Sequence, residues 1–417
     1  MSDGVAEIPS WSGPPAAAAG TGGGALAGIR VLDLSRILSG PFATMILADL
    51  GADVIKVEDT RSGDDTRQWA PPYQGDQSAY FLAVNRNKRS VSLDLKSPRG
   101  RDIARMLADR ADLVVQNFRP GTAERLGLGY RELSERNPGL VYASISGYGS
   151  TGPLASEPGY DAIAQALSGV MSVTGPADGE PCRVGVSSAD LGAGMWALIG
   201  ILAALRNRQI TGKGQLVDVS LLDGQVAWLT YVAGGYFASD VVPPRYGSAH
   251  PTIVPYQAFP SSDGYVMVAA GNDGLFRRFS QALGRPELAD DERYATNPDR
   301  VRNRDDLLEL IAKTMCEHTT AHWTEALAAA GVPGAPINTV PQALEHPQIR
   351  ARDMVVSVQH PTVGELRMVG NPIKLSQHPP SVRMAPPLLG QHTDEVLAEL
   401  GLSEQEVSEL HAAGAVR

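Results

Sequence analysis

From Gly28 onward the chain alternates short apolar runs with stretches in which apolar residues recur at helical spacing. IRVLDLS (29–35) predicts a strand, PFATMILADLG (41–51) a helix opened by proline and stopped by glycine, and ADVIKVE (52–58) the next strand. The unit then repeats through SVSLDL (90–95), a helix over 99–109, LVVQNF (113–118), a helix over 130–136 and LVYASISG (140–147). A later run, LVDVSL (216–221), reads as a further strand. Strands separated by helices pair in parallel through right-handed crossovers, which predicts an open, Rossmann-like α/β sheet. Such sheets bind ligands at the carboxyl ends of their strands. The loops expected there are SRILSG, EDTRSGDDTR, KSPRG, NFRPGTAER and GYGSTGP, and they hold Arg36, Arg61, Arg67, Lys96, Arg119 and Arg125. Six cations on one sheet edge favour an anionic ligand with several phosphates.

After Leu221 the pattern changes. Residues 28–221 read as the large domain and 222–244 as a linker helix. Residues 245–335, with short β runs on either side of a turn at 262–264 and helices beyond, read as a smaller α+β domain. Residues 336–417 are helical again and are expected to pack back on the large domain. The first 27 residues are rich in Gly, Ala and Pro and carry no Lys or Arg, which predicts a disordered tail rather than a signal or transit peptide.

Composition narrows the chemistry. The chain has 417 residues, 43% apolar, with 36 basic and 46 acidic side chains and a net charge of −10, so its overall field repels nucleic acid. Cys182 and Cys316 stand far apart with no CxxC, which supports neither a disulfide framework nor a zinc site and suits a reducing cytoplasm. The glycines of 20–28 precede the first strand and place Ala25 where a dinucleotide fingerprint needs glycine. TGKGQ (211–215) lacks the upstream glycine of a phosphate-binding loop. His318 and His322 are helical neighbours that read as surface, and no metal or permanently bound cofactor is expected. The longest apolar run, Leu191 to Leu205, is 15 residues, short of the roughly 20 that span a bilayer.

That run is preceded by one carboxylate, Asp190, in RVGVSSADLGAGMWALIGILAAL. An acid in front of an apolar helix is commonly an N-cap, whose oxygen accepts a free amide of the first turn. The same position, with a helix dipole behind it, also suits a reactive carboxylate kept ionised and aimed into a pocket. The residue pattern leaves both readings open.

The segments RVLDLSRILSGPFATMILADLGADVIKVE, NKRSVSLDLK, NFRPGTAERLGLGY, ASISGYGSTGP, PGYDAIAQALSGVMSVTG, VGVSSADLGAGMWALIGILAAL, HPTIVPYQAFPSSDGYVMVAAGND and LGQHTDEVLAELGL together resemble the family III CoA-transferases. That group includes formyl-CoA transferase, carnitine CoA-transferases and α-methylacyl-CoA racemase. The resemblance runs from Gly28 nearly to the C-terminus. It implies a large domain built from the N-terminal half plus the C-terminal tail, a smaller domain, and an interlocked homodimer. It implies further that Asp190 is the nucleophile, carrying CoA as an aspartyl thioester between an acyl-CoA donor and a carboxylic acid acceptor. CoA is then a substrate, and neither nucleic acid nor membrane is a partner.

The family's CoA-contact positions fall on Leu38, Ser39, Leu93, Lys96, Asn117, Phe118, Arg119 and Arg125. Where formyl-CoA transferase carries an arginine this chain has Asp59, so either Arg61 takes the phosphate contact or the contact is lost. A carboxylate with a pKa of about 4 is ionised at neutral pH, as a nucleophilic Asp190 requires. The racemase is the competing member, since Asp161 in PGYD matches its catalytic aspartate, but the histidine it needs upstream is missing because no histidine precedes His250. The glycine-rich small-domain loop of formyl-CoA transferase is also missing, which argues against formyl and oxalate and leans toward succinyl-CoA with dicarboxylic or branched acids. Arg245 and His250 are candidates for holding an acceptor's second carboxylate. A CoA-binding module or a dinucleotide-dependent oxidoreductase is the reading from a different class.

Overall fold

Six of the apolar runs form one parallel sheet in the computed structural model, which describes residues 23–417. In chain order the elements are β1 (Arg30–Asp33), α1 (Ser39–Asp49), β2 (Asp53–Glu58), β3 (Lys88–Ser92), α2 (Pro98–Asp109), β4 (Leu113–Gln116), α3 (Tyr130–Arg136) and β5 (Val141–Ser146). They continue with α4 (Asp161–Leu167), α5 (Ser188–Thr211), β6 (Leu216–Ser220) and α6 (Leu221–Trp228). The spatial order is β3-β2-β1-β4-β5-β6 with every neighbouring pair parallel. The order reverses between β1 and β4, which makes the carboxyl ends of those two strands the switch point where ligands of such sheets bind.

The central strands bury both faces, because their side chains alternate between two cores, whereas the edge strand β6 leaves Leu216 exposed. Val31, Val54, Val115 and Ala143 face one core with the Ala189–Ala193–Ala197–Ile201–Ala204 stripe of α5. Leu32, Val91, Val114 and Tyr142 face the other with Ile103 and Leu107 of α2. Helix α5 is long and apolar enough by composition to cross a bilayer, yet this stripe is wholly buried against the sheet.

A second unit comprises 169–185 and 229–349. It contains α7 (Thr230–Ser239), an antiparallel sheet ordered β9-β8-β7 from β7 (Tyr256–Pro260), β8 (Tyr265–Ala269) and β9 (Gly334–Pro336), and helices α8 (Asp273–Ala282), α9 (Arg304–Met315) and α10 (Thr320–Ala329). Phe259, Val268, Phe276, Ile311 and Trp323 make its core. The chain then re-enters the first unit at Arg350, through the hairpin β10 (Val355–His360) and β11 (Gly364–Val369) and helices α11 (Thr393–Glu399) and α12 (Glu404–Ala412). Val396, Leu397 and Leu410 complete the second core of the sheet.

Four expected boundaries differ in the structure. The return begins at 350 rather than 336, and the linker is split, α6 belonging to the first unit and α7 to the second. The predicted tail of 1–27 lies outside the described residues up to 22, but its last residues are fixed: Leu26 donates its N–H to Leu50 O at 2.9 Å and packs on the core. Strand β3 also begins at Lys88 rather than Ser90. Its first residues are ionic and buried, so they lack the apolar signature on which the expectation rested.

Those ionic residues hold the unit together. Asp49 of α1 accepts from Arg86 (2.7 and 3.0 Å), Asn87 (2.8 Å) and Asn371 (3.0 Å), which ties the re-entering segment to α1. Lys88 donates to Asp33 (3.0 Å), Pro41 O (2.9 Å) and Asn85 (3.0 Å), and Lys56 donates to Asp64 (2.8 Å) and Ser35 O (2.9 Å). Buried charges are tolerated only when paired in this way. Burial still pushes the Lys88 ammonium down to about 8.

Candidate active site

The loop after β1, residues 34–38, is set by contacts from three sides. Asn117, just beyond β4, accepts the N–H of Arg36 at 2.8 Å and donates to Arg36 O at 2.7 Å, joining the two loops of the switch point. Its amide also lies 3.5 Å from Ser39 Oγ. Asp64 accepts the N–H of Ile37 at 3.2 Å. Ile37 has φ of 71°, a left-handed conformation that is costly for a β-branched side chain. The buried Asp64–Lys56 pair beneath holds it there. This strained turn delivers Leu38 and Ser39 to the start of α1.

Helix α5 approaches the same place because of a glycine. A Cβ on Gly194 would stand 2.6 Å from Ser39 O and 3.2 Å from the Phe42 ring, so no other residue allows α5 to lie this close to the start of α1. One turn earlier, Asp190 is the third residue of α5.

Asp190 is not the N-cap. No local side chain caps α5 at Ser187. The cap comes across space: Asp161 Oδ1, at the start of α4, accepts the N–H of Ala189 at 2.8 Å and of Asp190 at 3.3 Å. Gln165, one turn along α4, donates to Asp161 Oδ2 at 2.8 Å and orients it. The segment before Asp161 is positioned by backbone contact at the end of β5, where a Cβ on Gly147 would stand 2.4 Å from Gly159 Cα. The cap-like position seen in the sequence is real, but another residue fills the capping role and the Asp190 carboxylate is left free of hydrogen-bond partners among the described residues.

Its electrostatics differ from expectation. Burial first, and the Asp161 charge second, push the Asp190 carboxyl up to about 7 rather than leaving it near 4. Tyr80 lies in the field of the same two carboxylates, and burial together with Asp190, Asp161 and Asp64 pushes its phenol up to about 12, so it remains an O–H donor. Trp69, 46% exposed, stacks edge-on against Tyr80 at 5.3 Å. Neither aromatic residue was singled out from sequence, because nothing in its spacing ties it to a residue more than a hundred positions later.

The six edge cations divide into two groups. Arg67 turns inward, donating to the buried Glu58 at 2.7 and 2.8 Å, and Arg36 pairs with Asp65. Arg61, Lys96 and Arg119 are exposed without an ion-pair partner among the described residues, and Arg125 meets only the Thr122 hydroxyl at 2.8 Å. They follow β2, β3 and β4 on the carboxyl edge; from β3 to β4 is three inter-strand steps, roughly 14 Å. Phe118 is half-buried beside Asn117. Leu93 is placed differently: its side chain is buried in the core and its backbone bridges Val416, so it offers a ligand only main-chain atoms. In the second unit Arg245 is taken up by Pro176 O (3.2 Å) and Gly179 O (2.6 Å). His250 there accepts the N–H of Thr252 and packs between Tyr231 and Tyr256. His318 and His322 stack at 4.1 Å against Trp323.

The family model described as CoA-transferase family III matches residues 26–393. The chain belongs to CoA-transferase family III. Among relatives of this CoA-transferase, human succinyl-CoA:glutarate CoA-transferase is 44% identical over 94% of the chain and 90% of its own length. Acetyl-CoA:oxalate CoA-transferase of Acetobacter aceti is 44% identical over 84% and 88%. A crystal structure of a CAIB/BAIF family protein from Brucella suis superposes with a TM-score of 0.82 at 42% identity, covering 90% of this CoA-transferase and 99% of that chain. The substrates of this CoA-transferase are therefore CoA thioesters.

Proposed function

We propose that this CoA-transferase moves CoA from succinyl-CoA to a small dicarboxylic acid of the glutarate class, with Asp190 as the covalent carrier. The observation that carries the proposal is the half-buried Asp190 carboxylate, free of hydrogen-bond partners among the described residues, on the helix packed against Ser39. The activities of two relatives, succinyl-CoA to glutarate in one and acetyl-CoA to oxalate in the other, support the substrate class.

Asp190, ionised, attacks the thioester carbonyl, forming a mixed anhydride and releasing CoA thiolate. The thiolate attacks the aspartyl carbonyl, forming the aspartyl thioester and freeing the donor acid. The acceptor carboxylate attacks that thioester to give a second anhydride and thiolate. Attack of the thiolate on the acceptor's carbonyl returns Asp190 as carboxylate. Each step exchanges one acyl bond for another, and covalent catalysis divides the exchange into four easier ones. A carboxylate whose proton affinity is raised by burial is a stronger nucleophile once ionised. Tyr80 supplies an O–H donor in the same field for oxygen anions formed on the way. Leu38, Ser39, Asn117, Phe118 and the backbone at Leu93 line the approach for CoA, with Arg61, Lys96, Arg119 and Arg125 for its phosphates.

Asp161 in this reading holds the amides of α5, which leaves Oδ1 committed and disfavours a role as the base of a racemase. A second copy of the chain is proposed to cover the outward face of α5, where Ile199 is 57% and Trp196 38% exposed. A reducing, cytoplasm-like compartment suits the two exposed, unpaired cysteines. Transfer of CoA from succinyl-CoA to glutarate, adipate, oxalate and acetate, followed by chromatography of the acyl-CoA products, tests the assignment. Turnover with glutarate that is abolished in Asp190→Ala is expected, and an enzyme indifferent to every dicarboxylate contradicts it.

A further inference from the structure

The opposite end of the sheet holds a cavity of about 360 Å³. Because side chains alternate along a strand, Arg30 and Leu32 of β1, Asp53 and Ile55 of β2, and Arg89 of β3 point to one face. The C-terminal ends of α2 and α11 stand over that face without closing on it. Leu32, Ile55, Leu107 and Val396 provide an apolar floor, and the polar groups gather at the mouth.

The mouth is charged but mostly satisfied. Arg89 grips Asp53 at 2.7 and 3.0 Å, Glu399 at 2.7 Å and Glu395 at 3.0 Å. Arg110 donates to the carbonyls of Glu399 and Leu400 at the end of α11. The nearby Asp112 is held by Arg208 at 2.6 Å. Only Arg30, exposed at the rim, has a guanidinium without a partner among the described residues. Four arginines against four carboxylates give no net field for a polyphosphate. One free guanidinium above a hydrocarbon floor instead matches one carboxylate with an apolar tail.

We propose that this cavity binds an amphipathic monocarboxylate, with the carboxylate on Arg30 and the chain on the floor. The site is separate from Asp190: it opens at the amino ends of β1, β2 and β3, whereas the CoA loops leave their carboxyl ends, a strand length of roughly 15–20 Å away.

Octanoate titrated calorimetrically into the wild-type enzyme saturated with CoA tests this directly. Saturable binding is expected, unchanged in Asp190→Ala, weakened at least tenfold in Arg30→Glu and removed in Ala111→Phe, which fills the cavity. Octylamine, lacking the carboxylate, is expected not to bind there. Failure of octanoate to bind, loss of binding when CoA is present, or equal affinity in wild type and Arg30→Glu overturns the proposal. Arg30 is exposed, so its variant decides the question even if Ala111→Phe does not fold.

Discussion

Asp161 accepts the backbone N–H of Asp190 at 3.3 Å, and of Ala189 at 2.8 Å, while its charge raises the proton affinity of the Asp190 carboxyl. One residue thus performs two tasks for the other. It ends a helix that has no local cap, which leaves the second carboxylate unengaged, and it makes that carboxylate more basic. The two effects separate in Asp161→Asn, because asparagine keeps an acceptor oxygen and loses the charge. The acid limb of the kcat/KM profile is expected to move to lower pH without reaching the ordinary carboxylate range, since burial is the larger cause. A limb that stays in place would show that Asp161 acts on position alone.

In the wild-type enzyme that limb belongs near pH 7, with activity rising as pH goes from 6 to 8 and Asp190 loses its proton. Initial rates of CoA transfer at limiting acyl-CoA, which follow kcat/KM, across pH 5–9 check the prediction, and a flat profile contradicts it.

The same shift predicts a stability cost. Asp190 has a folded-state value of about 7, above the unfolded value of about 4. The folded protein therefore holds an extra proton between those values, and the associated stability is fully present below pH 4 and lost as pH rises through 7. The loss is on the order of 4 kcal/mol. Asp190→Asn, inactive, is expected to unfold at higher urea concentration than wild type at pH 8 and to differ little at pH 4.5.

Edge cations that look alike in the sequence separate in the folded protein. Arg119→Ala and Lys96→Ala are expected to raise KM for the acyl-CoA several-fold with the melting temperature unchanged. Arg67→Ala leaves Glu58 buried without its bidentate partner, which costs about 3–5 kcal/mol. It is expected to lower the melting temperature sharply, as thermal unfolding followed by circular dichroism would show.

Gly194→Ala puts a methyl group 2.6 Å from Ser39 O. Because the obstacle is backbone, α5 must shift, at about 1–3 kcal/mol. Weaker CoA binding by calorimetry is expected to accompany the loss, since Ser39 stands at the end of the loop proposed to bind CoA.

These contrasts explain what could be read from the chain alone. Strands such as β4 and β5 were legible because a strand buried on both faces is a nearly continuous apolar run, as in LVVQ and VYASIS. The carboxyl edge followed from the βα alternation, while Asn117 and Ser39 were singled out by the family resemblance and their approach to each other is a tertiary contact. The Asp161 cap was not legible, because it joins residues of two helices through a tertiary contact. Nor was the inward turn of Arg67, since an arginine that pairs with a buried Glu58 has the same local sequence context as one that faces solvent. The raised Asp190 value was missed for a related reason. A helix start argues for an ionised carboxylate, while the opposing burial and the Asp161 charge exist only in the folded chain.

The central claim, that Asp190 carries CoA covalently, is tested most directly by intact-mass spectrometry of the enzyme mixed with succinyl-CoA and quenched in acid, with peptide mapping after borohydride or hydroxylamine treatment. An adduct of the mass of CoA less water, mapped to Asp190 and missing from Asp190→Asn, is the predicted result. Turnover that proceeds at the wild-type rate in Asp190→Asn, or an adduct mapped to another residue, would contradict it.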